Sequence, residues 1–138
     1  MILGPPAATE ALRVLSAKRV ALIHPPWYSE ELNALGGEYF RRHGFDVVLC
    51  ERLTPLRSTG TDLEPTEVYE WVRTKTPAQA DAVFLGGSGF RAVGAIHALE
   101  TTLGRPVITA NQVTFWAALR AANVKAKVVD YGRIFANA

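Results

Sequence analysis

Apolar residues in this chain gather in short dense runs, and between the runs they recur at helical spacing. Val20-Ala21-Leu22-Ile23, after Arg19, is uniformly apolar, the pattern of a strand covered by helices on both faces. Residues 45–49, 82–85 and 107–109 read as three more strands, apolar but for Asp46 and Thr109. Pro25-Pro26 closes the first, because proline removes backbone donors and cannot continue a central strand. A helix is expected from about Thr9 through Ala11, Leu12, Val14 and Leu15, ahead of the first strand. Ser29 reads as the N-cap of a second helix with Leu32, Leu35, Tyr39 and Phe40 as its apolar stripe, closed by Gly44. After a polar loop at 54–65, a third helix over 66–72 buries Val68, Trp71 and Val72. A fourth, from about 92 to 103, turns Ile96, Leu99 and Leu103 inward and ends at Gly104. A last helix starts near Asn111 and buries Val113, Trp116 and Leu119, and the tail returns through Val128-Val129 as a short edge strand.

A helix followed by four strand–helix units implies a mainly parallel sheet with right-handed crossovers. The expected fold is α/β: one domain over 1–138, a three-layer αβα sandwich with a four-stranded sheet ordered 2-1-3-4. In such sheets the functional crevice lies at the carboxyl ends of the strands, near a switch in strand order. Four loops meet there: His24-Pro25-Pro26-Trp27, the segment after Cys50, the turn Gly86-Gly87-Ser88-Gly89-Phe90, and Thr109-Ala110-Asn111-Gln112.

Composition removes several alternatives. The chain has 138 residues, 49% apolar and 20% charged, with a net charge of +2 and both signs interspersed. Such a surface is not the electropositive footprint of a nucleic-acid binder. The longest basic cluster, Arg41-Arg42-His43, falls on the last turn of a helix, where the dipole favours cations. A single cysteine excludes an internal disulfide, and three scattered histidines give no metal-ligand spacing. No apolar run approaches the roughly 20 residues of a bilayer span. The first residues lack the basic start of a signal peptide, so a cytoplasmic protein without membrane or nucleic-acid partners is expected.

The glycine turn carries the most suggestive chemistry. Gly86, Gly87 and Gly89 allow a close backbone approach, and their N–H groups could hold a carboxylate or phosphate at the start of the next helix. Ser88 could add a hydroxyl and Arg91 a charged fork. The alternative is a tight strand-to-helix connection without a ligand. The turn lacks dinucleotide spacing and follows the third strand, so no cofactor is expected. It also lacks the Gly-x-Ser-x-Gly elbow, since residue 90 is phenylalanine. Asn111 is a candidate cap for the last helix, while Thr109 and Gln112 could orient a carboxylate. His24 alone among the histidines stands at a strand end, where it could act as general acid or base. Cys50 reads as a small half-buried hydrophobe.

Three segments carry a family likeness: Lys18-Arg19-Val20-Ala21-Leu22-Ile23-His24-Pro25-Pro26, Ala80-Asp81-Ala82-Val83-Phe84-Leu85-Gly86-Gly87, and Leu103-Gly104-Arg105-Pro106-Val107-Ile108-Thr109-Ala110-Asn111-Gln112. They resemble the second half of the Asp/Glu racemase superfamily, in its maleate cis-trans isomerase and arylmalonate decarboxylase branch. Asp130-Tyr131-Gly132-Arg133 resembles the Gly-Tyr-Gly-Arg signature that closes those proteins, and Pro6-Ala7-Ala8-Thr9-Glu10-Ala11 the helix opening their second half. The resemblance implies a flavodoxin-like half of a two-domain, pseudo-twofold enzyme whose site for a small carboxylate lies between the halves. It implies that the family's second-half cysteine falls at Gly87, which has no side chain to move a proton. Pro26 or Trp27 stands where the family's first loop carries tyrosine, and Trp27 or Tyr28 would roof a pocket or fill a subunit seam. Thr61 and Asp62 fall where relatives often place a substrate-touching asparagine. The expected function is that of a diverged isomerase or decarboxylase-like protein for small carboxylic acids, without cysteine chemistry. The alternative is a non-catalytic small-anion-binding or structural oligomerisation module. An isolated half would expose an apolar face, with Trp27, Phe90, Phe115 and Trp116 as candidates, so a C₂ homodimer is expected.

Overall fold

A computed structural model of the chain describes residues 4–54, 63–87 and 91–137. The positions Thr61, Asp62, Ser88, Gly89 and Phe90 lie outside the described residues. The described elements are α1 (Gly4–Val14), β1 (Arg19–His24), α2 (Glu30–Arg42), β2 (Asp46–Arg52), α3 (Pro65–Lys75), β3 (Ala82–Leu85), α4 (Ile96–Leu103), β4 (Val107–Thr109) and α5 (Ala110–Ala121). Short 3-10 turns cover Val93–Ala95 and Arg133–Asn137.

The four strands pair in parallel in the order β2-β1-β3-β4, the order expected from the sequence. Alternate side chains of β1 feed two separate cores. Val20 and Leu22 pack with Ala8, Leu12, Phe40, Phe84, Ile108, Val113 and Trp116, beneath α1, α2 and α5. Ala21 and Ile23 pack with Val68, Trp71, Val72, Val83, Leu85, Leu99 and Val107, beneath α3 and α4. A strand buried on both faces has no polar side to show, which is why β1 and β3 read as continuous apolar runs. Asp81 fixes the start of β1, accepting from the Lys18 and Arg19 backbone N–H groups at 3.1 and 2.8 Å. Those N–H bonds, the Arg19 one foremost, hold its carboxyl below the usual range.

Several expectations are corrected. The first helix begins at Gly4, not near Thr9, with Pro5 and Pro6 in its first turn, where missing N–H groups cost nothing. The second strand runs through Cys50 to Arg52, so Cys50 lies within it and does not follow it. Ser29 does cap α2, accepting from the Leu32 N–H at 3.0 Å. Of the proposed stripe only Phe40 is buried, while Leu35 is 59% exposed. Helix α5 is capped by Thr109, one position before the helix starts, and not by Asn111. Its Trp116 is wholly interior and contributes nothing to an exposed face. Val128-Val129 forms no strand.

The tail is nevertheless firmly held. Glu100 of α4 is buried and accepts from the Val107 N–H (2.9 Å) and the Arg133 N–H (3.0 and 3.1 Å). One carboxylate thus joins a helix, a strand and the closing segment.

Candidate functional site

Order 2-1-3-4 places the switch in strand order between β1 and β3, so the loops leaving these strands diverge and open a crevice. His24 ends β1, and Gly86-Gly87 follows β3. The loop after His24 is fixed from three sides. The Tyr28 N–H closes a turn onto the Pro25 carbonyl (3.2 Å), and Arg52 of β2 donates to the Tyr28 carbonyl (2.9 Å). Tyr28 folds back so that its ring stacks on His24, with centroids 5.3 Å apart and planes 17° apart.

His24, Tyr28, Gly86 and Gly87 line a cavity of about 380 Å³, closed by Gly36, Leu32, Leu35 and Tyr39 of α2 among others. Its wall is mostly apolar, and His24, Tyr28 and Tyr39 are the lining residues with polar side-chain groups. His24 is only 4% exposed. Its ring slots between two backbones: a Cβ on Gly36 of α2 would stand 2.6 Å from Cε1 and Nε2, and one on Gly86 would stand 2.9 Å from Cδ2. Such distances are far inside van der Waals contact, so the ring requires glycine on both sides. Its Nδ1 lies 2.8 Å from Asn33 Oδ1. Burial lowers the His24 pKa, against a smaller opposing effect of the Asn33 hydrogen bond. The ring is therefore neutral at pH 7.

Gly87 has φ +92°, a conformation that side-chain-bearing residues rarely adopt. A Cβ there would overlap Pro25 Cγ, with Cδ at 2.9 Å and the Tyr28 hydroxyl at 3.6 Å. As the loop stands, position 87 has room for glycine alone. The Gly86 N–H donates to the Ile23 carbonyl at 2.9 Å, which extends the β1–β3 ladder. That amide is therefore removed from the anion cradle expected from the sequence.

Other predicted residues fall elsewhere. Thr109 and Gln112 are buried and form a capping box: the Gln112 N–H donates to Thr109 Oγ1 (3.1 Å), and Gln112 Oε1 accepts from the Thr109 N–H (3.0 Å). Gln112 Nε2 donates to the Tyr131 carbonyl, so this side chain also holds the tail. Asn111 and Gln112 line a different apolar groove of about 330 Å³, with Phe115, Val128, Tyr131 and Phe135. The structure thus joins His24, Gly86 and Gly87 in one cavity and leaves Thr109, Asn111 and Gln112 outside it. Trp27 is exposed and does not line the cavity; the neighbouring Tyr28 roofs it. Arg91 pairs with Glu64 at 3.2 Å on the surface. Burial pushes the Cys50 thiol pKa up, with Arg41 opposing, so the group is protonated at neutral pH. Among the described residues no cluster of three metal-ligating side chains occurs.

Sequence reasoning missed Asn33, Tyr28 as the stacking partner, and Gly36. A signal for Gly36 was present: Gly36-Gly37 sits inside a helix, where each glycine costs about 1 kcal/mol relative to alanine. Such a pair implies something packed against the helix backbone. Here Gly36 receives His24, and Gly37 receives Cys50, whose Sγ would be 2.9 Å from an added Cβ.

The arylmalonate decarboxylase family model matches residues 5–135. The chain belongs to this family. It is 29% identical to maleate isomerase from Pseudomonas putida over 134 residues, covering 96% of this chain and 53% of that protein. Maleate isomerase from Geobacillus stearothermophilus is 28% identical, over 93% of this chain and 51% of that protein. The chain thus spans about half the length of the curated relatives it matches. The fold superposes on a cysteine-to-alanine variant of maleate isomerase from Pseudomonas putida S16 with maleate, at TM-score 0.86 and 25% identity, over 98% of this chain and 54% of that one. Unliganded arylmalonate decarboxylase gives a TM-score of 0.84 at 25% identity, over 98% and 60% of the two chains. The α/β fold of the Asp/Glu racemase type is therefore established for the described residues. No described helix is long and apolar enough to cross a membrane.

Proposed function

We propose that this chain handles small carboxylic acids as a diverged isomerase or decarboxylase-like protein, with an imidazole moving the proton in place of a thiol. The observation that carries this is the shared cavity: His24 lines it beside Gly86 and Gly87, and position 87 has no space for a side chain. Family membership supports the substrate class, since relatives are named for maleate and arylmalonate chemistry.

Neutral His24 takes a proton from the carbon next to a substrate carboxylate. The C–H electron pair passes into that carboxylate as an enediolate. The backbone N–H of Gly87 stabilises the developing charge, where fixed donors contribute most. The imidazolium then returns the proton to the carbon. In a decarboxylating variant the C–C pair passes to the remaining carboxylate, CO₂ leaves, and a solvent proton quenches the same enediolate. A lowered His24 pKa suits the first step, because the ring is already in its basic form.

The experiment is exchange of the α-proton of malonate, methylmalonate and aspartate in D₂O, followed by NMR for wild type and His24→Gln. Exchange above the buffer rate in wild type, lost in the variant, is expected. Equal rates in both would overturn the proton role of His24. A second reading, a non-catalytic small-anion-binding module, is favoured by the near-complete burial of that ring. Melting shifts with millimolar malonate, maleate or phosphate, without exchange, would select it.

A C₂ homodimer belongs to the same proposal. Leu32 and Leu35 at the cavity mouth and the nearby Trp27 are exposed, an apolar patch that a second copy would cover. Phe115, at 53% exposed, belongs to the separate α5 groove.

A further inference from the structure

Asn33 is the polar residue of α2 that meets His24, and its own orientation is fixed independently. Its Nδ2 donates to the Cys50 carbonyl oxygen at 3.3 Å. That oxygen can only accept, so the amide nitrogen must face β2. The amide oxygen is thereby turned toward the imidazole, 2.8 Å from Nδ1. An oxygen that can only accept requires Nδ1 to carry the proton. Cys50 also donates its thiol proton to the main-chain carbonyl of Asn33 at 3.3 Å, which ties this turn of α2 to β2.

We propose that Asn33 is a positioning residue that locks His24 in the Nδ1–H tautomer, leaving Nε2, the nitrogen packed beside Gly36 and Gly86, as the one that accepts the proton. The inference rests on the assignment of His24 as the proton carrier, and it specifies which ring nitrogen does the work. In water a neutral histidine prefers the Nε2–H form, so the locked tautomer reverses the ordinary preference. When Nε2 gains the substrate proton, the imidazolium keeps its Nδ1–H bond to Asn33. The ring then neither rotates nor exchanges partners during the transfer.

The surroundings leave the assignment to Asn33. Tyr28, from the loop, stacks on the ring face. From β2, Cys50 bonds to Asn33, and Arg52 lies beside His24 in register with its guanidinium on the Tyr28 carbonyl. From α2, Tyr39 lines the cavity, and from β3, Phe84 and Gly86 bring no titratable group. Among the described residues no carboxylate is bonded to the ring.

The test is the ¹⁵N shifts of His24 in histidine-labelled protein above pH 7.5, with assignments from His24→Gln. Wild type is expected to show protonated Nδ1 and unprotonated Nε2. Asn33→Ala is expected to return the ring to the Nε2–H form. Asn33→Asp, whose carboxylate also accepts from Nδ1, is expected to restore the Nδ1–H tautomer and raise the His24 pKa by about 1 unit or more. A wild-type ring already in the Nε2–H form overturns the inference, and so does an Asn33→Ala protein that keeps Nδ1 protonated. The wild-type spectrum decides even if a variant fails to fold. A locked tautomer without any α-proton exchange would leave this inference standing and remove the proposed reaction instead.

Discussion

Placing a side chain on Gly87 is the sharpest perturbation of the crevice. The backbone there has φ +92°, and a left-handed conformation costs a non-glycine residue about 1–2 kcal/mol. The added Cβ also overlaps the Pro25 ring, which is held by the β1–α2 turn and cannot withdraw freely. Overpacking of that kind costs about 1–3 kcal/mol. Together Gly87→Ala should lose about 2–5 kcal/mol, a large share of the roughly 5–15 kcal/mol available to a domain. Urea unfolding followed by tryptophan fluorescence and far-UV circular dichroism measures this, and thermal unfolding should show a fall in Tm of roughly 10 °C. Gly87→Cys should cost about as much, since the Cβ and not the sulfur makes the clash. Adding Pro25→Ala separates the two contributions: the overlap is relieved and about 1–3 kcal/mol returns, while the backbone strain stays. If Gly87→Ala lies within about 0.5 kcal/mol of wild type, the loop adapts readily. The steric argument against a thiol at this position then fails.

Four further outcomes are expected. Because the folded-state pKa of His24 lies below its unfolded value of about 6.5, the unfolded chain binds the proton more readily. Its contribution is intact above pH 6.5 and is lost as pH falls through the folded value; the stability difference between wild type and His24→Gln should shrink from pH 7.5 to 5, and a constant difference would refute this. Cys50, half-buried with a raised pKa, should react with a thiol reagent at neutral pH at least about tenfold more slowly in the native state than in urea, and equal rates would contradict the assigned burial. Glu100→Ala leaves the Val107 and Arg133 N–H groups without their acceptor and should cost about 2–4 kcal/mol in urea unfolding, against under 1 kcal/mol if the tail contact is dispensable. Light scattering at tens of micromolar should give twice the chain mass, reduced by Leu35→Lys at the cavity mouth; a monodisperse wild-type monomer would defeat the dimer.

Much of the fold was legible because parallel strands buried on both faces leave a plain signature. Arg19–His24, Ala82–Leu85 and Val107–Thr109 are bounded by Asp81, the glycines and proline, and their order follows from the strand–helix repeat. What escaped has physical causes. The apolar pattern puts the start of the first helix near Thr9, yet its first turn needs no N–H from Pro5 and Pro6, so it begins at Gly4. Strand β2 lies at the sheet edge with no fully buried residue and with Asp46 and Glu51 exposed, so its polar end at Glu51 and Arg52 resembled a loop. Thr109 won the cap of α5 over Asn111 because Gln112, three residues on, completes the reciprocal pair of bonds. In the crevice, His24 and the two glycines were visible as strand-end residues. Asn33 was not, since its tie to His24 depends on how α2 lies across β1 and β2, and nothing in its own segment signals that contact.

The most direct measurement of His24 as the proton carrier is α-proton exchange into methylmalonate in D₂O, compared among wild type, His24→Gln and Asn33→Ala. Exchange in wild type above the buffer rate, abolished in His24→Gln and reduced at least about tenfold in Asn33→Ala, is the expected result. Wild-type exchange that survives in His24→Gln would contradict it.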